Sequence, residues 1–258
     1  MNYHIHKPER QAFELDADGI VGNLISPELV ATEISVLDER AIDIDISFAR
    51  TSVEFAAFET EVDVLNGDRA WQPSYEADIK HFLKAHLDLE DIVIFDHTVR
   101  IDDDASDRKP ARNVHSDYSI AGAQQRLIDL LGKEQATAWA AGHYAFINVW
   151  RPVEAAINSS PLGFILPGTV DEKDWILLDL IYPDRRGQIL GLAENPAHQW
   201  VYRSRMTQRE AAFFNIFDNL GLPSIAHSAL DMAENPEIHT VRKSIESRTL
   251  VRYSDSFT

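Results

Sequence analysis

The stretch Asn113-Val114-His115-Ser116-Asp117-Tyr118-Ser119 decides the fold and the chemistry that we predict for this chain. In an extended strand, side chains at positions i and i+2 project from the same face, so His115 and Asp117 present an imidazole and a carboxylate to one point. A second histidine would complete the two-histidine, one-carboxylate set that holds non-haem Fe(II) and leaves other metal positions open. An isolated His-x-Asp pair is also common on solvated strands, so the prediction requires that second histidine.

The second histidine must come from a distant part of the chain. The candidates that follow the pair are His143, His198, His227 and His239. We favour His227, because Arg242 and Ser244 follow it at short range and share one face of a predicted strand. Their guanidinium and hydroxyl groups can together hold a carboxylate. His115, Asp117 and His227 are therefore the predicted metal-binding and catalytic residues, with Arg242 and Ser244 as a predicted clamp for a dicarboxylate co-substrate.

Strand patterns dominate the second half of the chain. They cover Tyr144–Pro152, Trp175–Tyr182, Gln188–Leu192, His198–Tyr202, Ala211–Phe217, Ser224–Ala229 and Val241–Tyr253, and turn residues separate them. Helical spacing predicts a helix over Tyr75–Leu87 with Ser74 as its N-cap, and two helical segments over Ala121–Leu131 and Lys133–Ala141. The pattern predicts a mainly β fold, a jelly roll with flanking α-helices.

Length and composition narrow the class of protein. The 258 residues are enough for a single domain, in which residues 1–50 form a peripheral N-terminal arm. The chain has no cysteine, so any metal must be held by nitrogen and oxygen ligands. A net charge of −18 argues against nucleic-acid partners, and the sequence has no apolar run that could span a membrane. We expect a cytoplasmic enzyme, because the N-terminus lacks the apolar core of a signal peptide.

Four stretches carry a resemblance to a known family. They are Asn113–Ser119, Phe146–Pro152, Asn195–Tyr202 and Arg242–Val251, and the similarity extends over roughly residues 50 to 253. The chain resembles the AsaB-type hydroxylase/desaturase family, which includes a cephalosporin methoxylase component, a gibberellin desaturase and fungal meroterpenoid oxygenases. The resemblance implies a double-stranded β-helix of the cupin-like type that binds Fe(II) and 2-oxoglutarate, with His115, Asp117 and His227 at the metal positions. The implied activity is a dioxygenase of secondary metabolism.

Such an enzyme would oxidise a small natural-product-like substrate by hydroxylation, desaturation or rearrangement. It would consume molecular oxygen and release succinate and CO2. Three further residues are candidates for cofactor binding. Arg248 has the same strand parity as Arg242 and is its rival as the clamp, while Asn148 and Arg151 lie on the strand that follows the helical region. A structural role is equally compatible with each of these two residues. Asn148 could be a buried amide that is hydrogen-bonded to the backbone, and Arg151 could pair with an acidic residue.

Two other classes of protein compete with this interpretation. A jelly-roll hydrolase or isomerase could use zinc or manganese in a His/Asp/His site, but it would not need the fixed clamp of Arg242 and Ser244. A binding module could keep the barrel without chemistry, but an intact triad counts against it. The sequence leaves the substrate and the oligomeric state open, with a homodimer as the commonest arrangement for a soluble enzyme.

Overall fold

The computed structural model describes residues 1–20, 23–62, 65, 69–235, 237 and 240–254. Within these residues, the helices are α1 (Phe48–Thr51), α2 (Gln72–His86) and α3 (Ile120–Ala140). The strands are β1 (Asn2–His4), β2 (Gln11–Leu15), β3 (Leu24–Ile25), β4 (Leu29–Ala31), β5 (Val36–Asp38), β6 (Val53–Ala57), β7 (Leu89–Ile101), β8 (His115–Ser116), β9 (Tyr144–Pro152), β10 (Leu162–Ile165), β11 (Trp175–Ile181), β12 (Arg186–Leu192), β13 (Trp200–Tyr202), β14 (Glu210–Asp218), β15 (His227–Ala229) and β16 (Lys243–Tyr253).

Two large sheets form the body of the molecule. One has nine strands in the order β3-β2-β11-β12-β8-β15-β10-β13-β5, and the other has five in the order β6-β14-β9-β16-β7. Phe164 and Val201 of the larger sheet and Phe146 and Phe214 of the smaller one belong to a single buried cluster, so the sheets enclose a common core. This arrangement confirms the predicted mainly β fold with flanking helices.

Strand β9 contributes side chains to both faces of the smaller sheet. All nine of its residues are buried, because one face packs against the other sheet and the opposite face packs under a helix. The side chains that contribute to the inner core are Tyr144, Phe146 and Trp150, whereas Ala145, Ile147 and Val149 belong to the outer cluster. Alternation along the strand therefore assigns the even positions to the inner face and the odd positions to the outer face.

Helix α2 covers this outer face. Tyr75, Ile79, Phe82 and Leu83 are its buried residues, and they follow the helical repeat that the sequence shows. The helix begins at Gln72 with proline in its first turn, so the predicted start at Tyr75 with Ser74 as N-cap is wrong. Proline fits the first turn because its missing N–H would have no intrahelical partner there.

Helix α3 starts directly after the His115–Asp117 stretch. The Ser119 hydroxyl accepts a hydrogen bond from the Gly122 amide and caps the helix. Gly132 has a φ of 75° and interrupts the helical backbone, which confirms the prediction of two helical segments that meet near residue 132. Glycine adopts this left-handed conformation without the steric cost of a Cβ. No helix in the described part of the chain has both the length and the apolarity needed to cross a bilayer.

Two parts of the nine-stranded sheet add to the sequence prediction. Strand β10 was missed, although it lies between β13 and β15 and pairs with both. The strand has four residues, and Gly163 interrupts its apolar pattern. The same glycine makes room for the Leu230 side chain. Residues 1–50, predicted as a peripheral arm, supply strands to both ends of this sheet: β2 and β3 at one end, β5 at the other.

Candidate metal centre and co-substrate recess

Three polar side chains converge between strands β8 and β15. His115 lies opposite His227 in this antiparallel pair, and their ring centroids are 4.5 Å apart. Asp117 follows directly after β8, and its Oδ1 atom lies 3.5 Å from His115 Nε2. One ligand atom from each of the three residues lies within 4.8 Å of the other two. The structure thus places the predicted ligand set at one point, at a spacing that one metal ion can bridge.

Backbone carbonyls fix the orientation of both imidazole rings. The Nδ1 atom of His115 lies 2.8 Å from the Asn113 carbonyl oxygen, and that of His227 lies 3.4 Å from the Ile225 carbonyl oxygen. A carbonyl can only accept a hydrogen bond, so the proton of each neutral ring is placed on Nδ1. The Nε2 lone pairs are left for a metal, which is the usual arrangement of a ligating histidine and its backbone partner.

The electrostatics of the site favour the protonation states that metal ligands need. Burial, together with the neighbouring His115, lowers the pKa of His227 to about 3, so His227 is neutral at physiological pH. Burial alone would raise the pKa of Asp117, but the Arg248 guanidinium holds it well below its usual range. Neutral imidazole and ionised carboxylate are the forms that bind a divalent cation.

One oxygen of Asp117 is already occupied by protein donors. The Oδ2 atom accepts hydrogen bonds from Asn148 Nδ2 and Arg248 Nε, each at 2.9 Å. Asn148 and Arg248 are directly opposite each other on β9 and β16, which explains why both reach the same atom. Asn148 was predicted as a cofactor-binding residue; the structure instead directs its amide to the metal-ligand carboxylate.

The two rival arginines have different partners. Each nitrogen of the Arg248 guanidinium faces an acid: Nε faces Asp117, Nη1 lies 2.6 Å from Asp96 Oδ2, and Nη2 lies 2.6 Å from Glu246 Oε1. The pKa of Arg248 is raised well above its usual range, because these carboxylates outweigh the effect of its burial. Arg248 therefore has no nitrogen free to clamp a co-substrate.

Arg242 and Ser244 have open donors. Arg242 is only 3% exposed, and its Nε and Nη1 atoms have no hydrogen-bond partner among the described residues; the same holds for the Ser244 hydroxyl. The Arg242 guanidinium lies over the Trp150 ring, 5.4 Å from its centroid. Burial, together with the nearby charge of Arg100, lowers the pKa of Arg242 to about 9. A buried cation whose donors have no partner destabilises the folded state. Arg242 and Ser244 are therefore suited to bind an anionic ligand.

The structure removes Arg151 from the predicted cofactor-binding set. Arg151 has an odd position on β9, so its side chain enters the cluster under helix α2 and not the space between the sheets. Its Nε, Nη1 and Nη2 atoms donate to the Tyr75 hydroxyl and to the Pro152 and Val62 carbonyls. It is fully buried with each nitrogen satisfied, which is a structural role.

A recess is shared by the two histidines of the triad and by Arg242. Its lining also includes Trp150 and Arg100. Sequence reasoning missed Arg100, although Asp96, Thr98 and Arg100 alternate on β7 and mark one polar strand face. Arg100 pairs directly with Ser244 across β7 and β16.

The remaining candidate histidines lie elsewhere. His198 contacts Asp174 and Tyr3, and His143 contacts Asp218 and stacks on Tyr253. His239 lies outside the described residues.

Comparisons with known proteins identify related hydroxylases and desaturases. The hydroxylase/desaturase efuI of Hormonema carpetanum is 26% identical over 266 residues, which cover 94% of this chain and 80% of that protein. The hydroxylase/desaturase CTB9 of Cercospora beticola is 31% identical over 159 residues, 57% of this chain and 48% of CTB9. These relatives confirm the predicted resemblance to hydroxylases and desaturases.

A solved structure shares the fold. The iron and alpha-ketoglutarate-dependent endoperoxidase NvfI superposes with a TM-score of 0.84 at 20% identity, over 98% of this chain and 97% of that one. A family described as "YDMC: Oxidoreductase/YMDC permease-like domain" matches residues 2–252. Because this match spans nearly the whole chain, the protein belongs to that oxidoreductase family.

Proposed function

We propose that the protein is a non-haem Fe(II)/2-oxoglutarate-dependent dioxygenase, a single domain that oxidises a small natural-product-like molecule. The observation that carries the proposal is one recess lined by both histidines of the His/Asp/His set and by Arg242, whose Nε and Nη1 atoms have no partner among the described residues. The set has only nitrogen and oxygen donors, which suits Fe(II). The orphaned donors of Arg242 and Ser244 suit a carboxylate.

Each group of residues has a separate task. His115, Asp117 and His227 would hold the iron. Arg242 and Ser244 would hold the far carboxylate of 2-oxoglutarate, and Trp150 would form the wall beside it. When bound, iron and 2-oxoglutarate together supply the oxidising power, as the co-substrate and O2 yield succinate and CO2 while the substrate is hydroxylated, desaturated or rearranged. The two sheets bury His227 and Arg242, which strengthens the ionic contacts that these side chains can make.

The names of the similar proteins support this proposal. Two relatives are hydroxylase/desaturases, and the solved structure with the same fold is an iron and alpha-ketoglutarate-dependent enzyme. Fungal biosynthetic relatives favour a substrate of secondary metabolism, including the aspirochlorine biosynthesis protein N of Aspergillus oryzae, 26% identical over 143 residues.

The test is binding under anaerobic conditions. Purified protein is mixed with Fe(II) and then titrated with 2-oxoglutarate, and the weak visible charge-transfer band of the chelate is recorded. We expect the band in the wild-type protein and its loss in His115→Ala and Asp117→Ala. Arg242→Ala should raise the 2-oxoglutarate concentration for half-maximal signal far more than Arg248→Ala does at saturating Fe(II).

Two outcomes would contradict the proposal. A band that forms equally well in the triad variants would show that the iron binds elsewhere. Tight binding of a divalent metal without any effect of 2-oxoglutarate would favour the hydrolase or isomerase alternative. Arg209→Ala is a suitable control for the loss of one positive charge, because Arg209 is exposed and distant in sequence from the recess residues.

A further inference from the structure

We propose that Arg248 and Asn148 are positioning residues that hold Asp117 so that only its Oδ1 atom is available to the metal. The inference rests on the metal-binding part of the proposed function and is independent of the co-substrate. It gives Arg248 a task other than the clamp. It also explains why Arg248, which lines this recess, is surrounded by acids while its neighbour Arg242 is not.

The first step is the hydrogen-bonding capacity of one oxygen. A carboxylate oxygen has about two lone-pair directions, and Asp117 Oδ2 already accepts from Asn148 and from Arg248 at 2.9 Å each. The Oδ1 atom is the one that lies near His115 Nε2, at 3.5 Å. The carboxylate therefore presents one free oxygen to the histidine side and keeps the other engaged with protein.

The second step is the rigidity of the donor. The Arg248 guanidinium is held from three further points: Asp96 and Thr98 at Nη1, and Glu246 at Nη2. Asp96 and Asn148 lie opposite Arg248 on the two neighbouring strands, so the planar fork spans three strands of one sheet. A planar donor fixed in this way cannot follow Asp117 if the carboxylate rotates.

The consequence concerns the number of positions left open on the metal. A carboxylate that rotated and bound through both oxygens would take a position that the co-substrate or O2 requires. Two fixed donors on Oδ2 oppose that rotation. Removal of residues that contact a metal ligand but not the metal commonly lowers the metal affinity by roughly 10- to 100-fold.

The experiment uses Co(II) alone, without 2-oxoglutarate, because its visible absorption reports coordination number. Apo-protein is titrated with Co(II), and the affinity and the band shape are recorded for wild type, Arg248→Gln and Asn148→Leu. We expect Arg248→Gln to weaken Co(II) binding by about 10- to 100-fold and to change the band shape. Asn148→Leu should shift the spectrum in the same direction by less, and it keeps the test decisive if Arg248→Gln does not fold.

Arg151→Gln is the matched control, since it removes a buried arginine from the opposite face of the same sheet. It should lower the melting temperature and leave the Co(II) spectrum unchanged. An Asn148→Leu or Arg248→Gln protein that folds and gives the wild-type affinity and spectrum would overturn the inference but not the proposed function. A wild-type protein that binds no Co(II) would overturn both.

Discussion

Arg242→Met is expected to make the protein more stable while it weakens co-substrate binding. Arg242 is buried with two nitrogens that have no partner among the described residues, and burial lowers its pKa to about 9. Because folding lowers the pKa of the Arg242 guanidinium, the folded state disfavours its charged form. The resulting loss of folding free energy is fully present at pH 7. At 1.36 kcal/mol per pH unit, the shift corresponds to roughly 5 kcal/mol as an upper limit.

Hydration of the recess and loss of the contact with Trp150 reduce the expected gain. Replacing buried charges with apolar side chains of similar volume typically stabilises by about 1–4 kcal/mol, so we expect a rise in melting temperature of about 3–10 °C for a chain of this length. Binding of 2-oxoglutarate should weaken by about 2–5 kcal/mol, or from roughly 30-fold to several thousand-fold, because a buried ionic contact is lost.

The assay combines thermal melts of apo-protein with the anaerobic titration. Arg151→Met is the comparison, because its three nitrogens are bonded to Tyr75, Val62 and Pro152. It should destabilise the protein by about 3 kcal/mol or more, since buried acceptors lose their donors. The reasoning would be refuted if Arg242→Met lowered the melting temperature as much as Arg151→Met does.

The remaining predictions concern the metal, the pH and the packing. His227→Ala should reduce Fe(II) affinity by at least about 100-fold in anaerobic calorimetry, and an unchanged affinity would exclude His227 as a ligand. Burial and the nearby His115 lower the pKa of His4 from 6.5 to about 4, so its contribution to stability is lost as the pH falls from 6.5 to 4. In urea unfolding, the wild type should lose roughly 2 kcal/mol more than His4→Gln between pH 7.5 and 5, and equal losses would contradict this. Gly163→Ala should destabilise by about 1–3 kcal/mol in thermal melts, because a Cβ there would lie 2.6 Å from Leu230 Cδ2; an unchanged melting temperature would show that Leu230 can move aside.

The sequence predicted those parts of the site that depend on local geometry. The i and i+2 relation of His115 and Asp117, and the shared face of Arg242 and Ser244, follow from strand alternation alone. It did not predict which arginine is free, because the partners of Arg248 come from β7 and from the segment after β8, far apart in the chain. Arg151 was misplaced because the sequence does not show which face of β9 is covered by a helix.

Alternation also explains how one sheet carries three arginines with different tasks. Arg151 has an odd position on β9 and meets helix α2, so its donors are satisfied by backbone and Tyr75. Arg242 lies directly before β16, and Arg248 lies within it. Both have even positions and face the other sheet, but only Arg248 lies opposite both Asp96 and Asn148. A shift of one residue in the β16 register would exchange the faces of all its side chains. The open donors of Arg242 and the fixed orientation of Asp117 would then be lost together, so the β7-β16-β9 register links co-substrate recognition to the metal site.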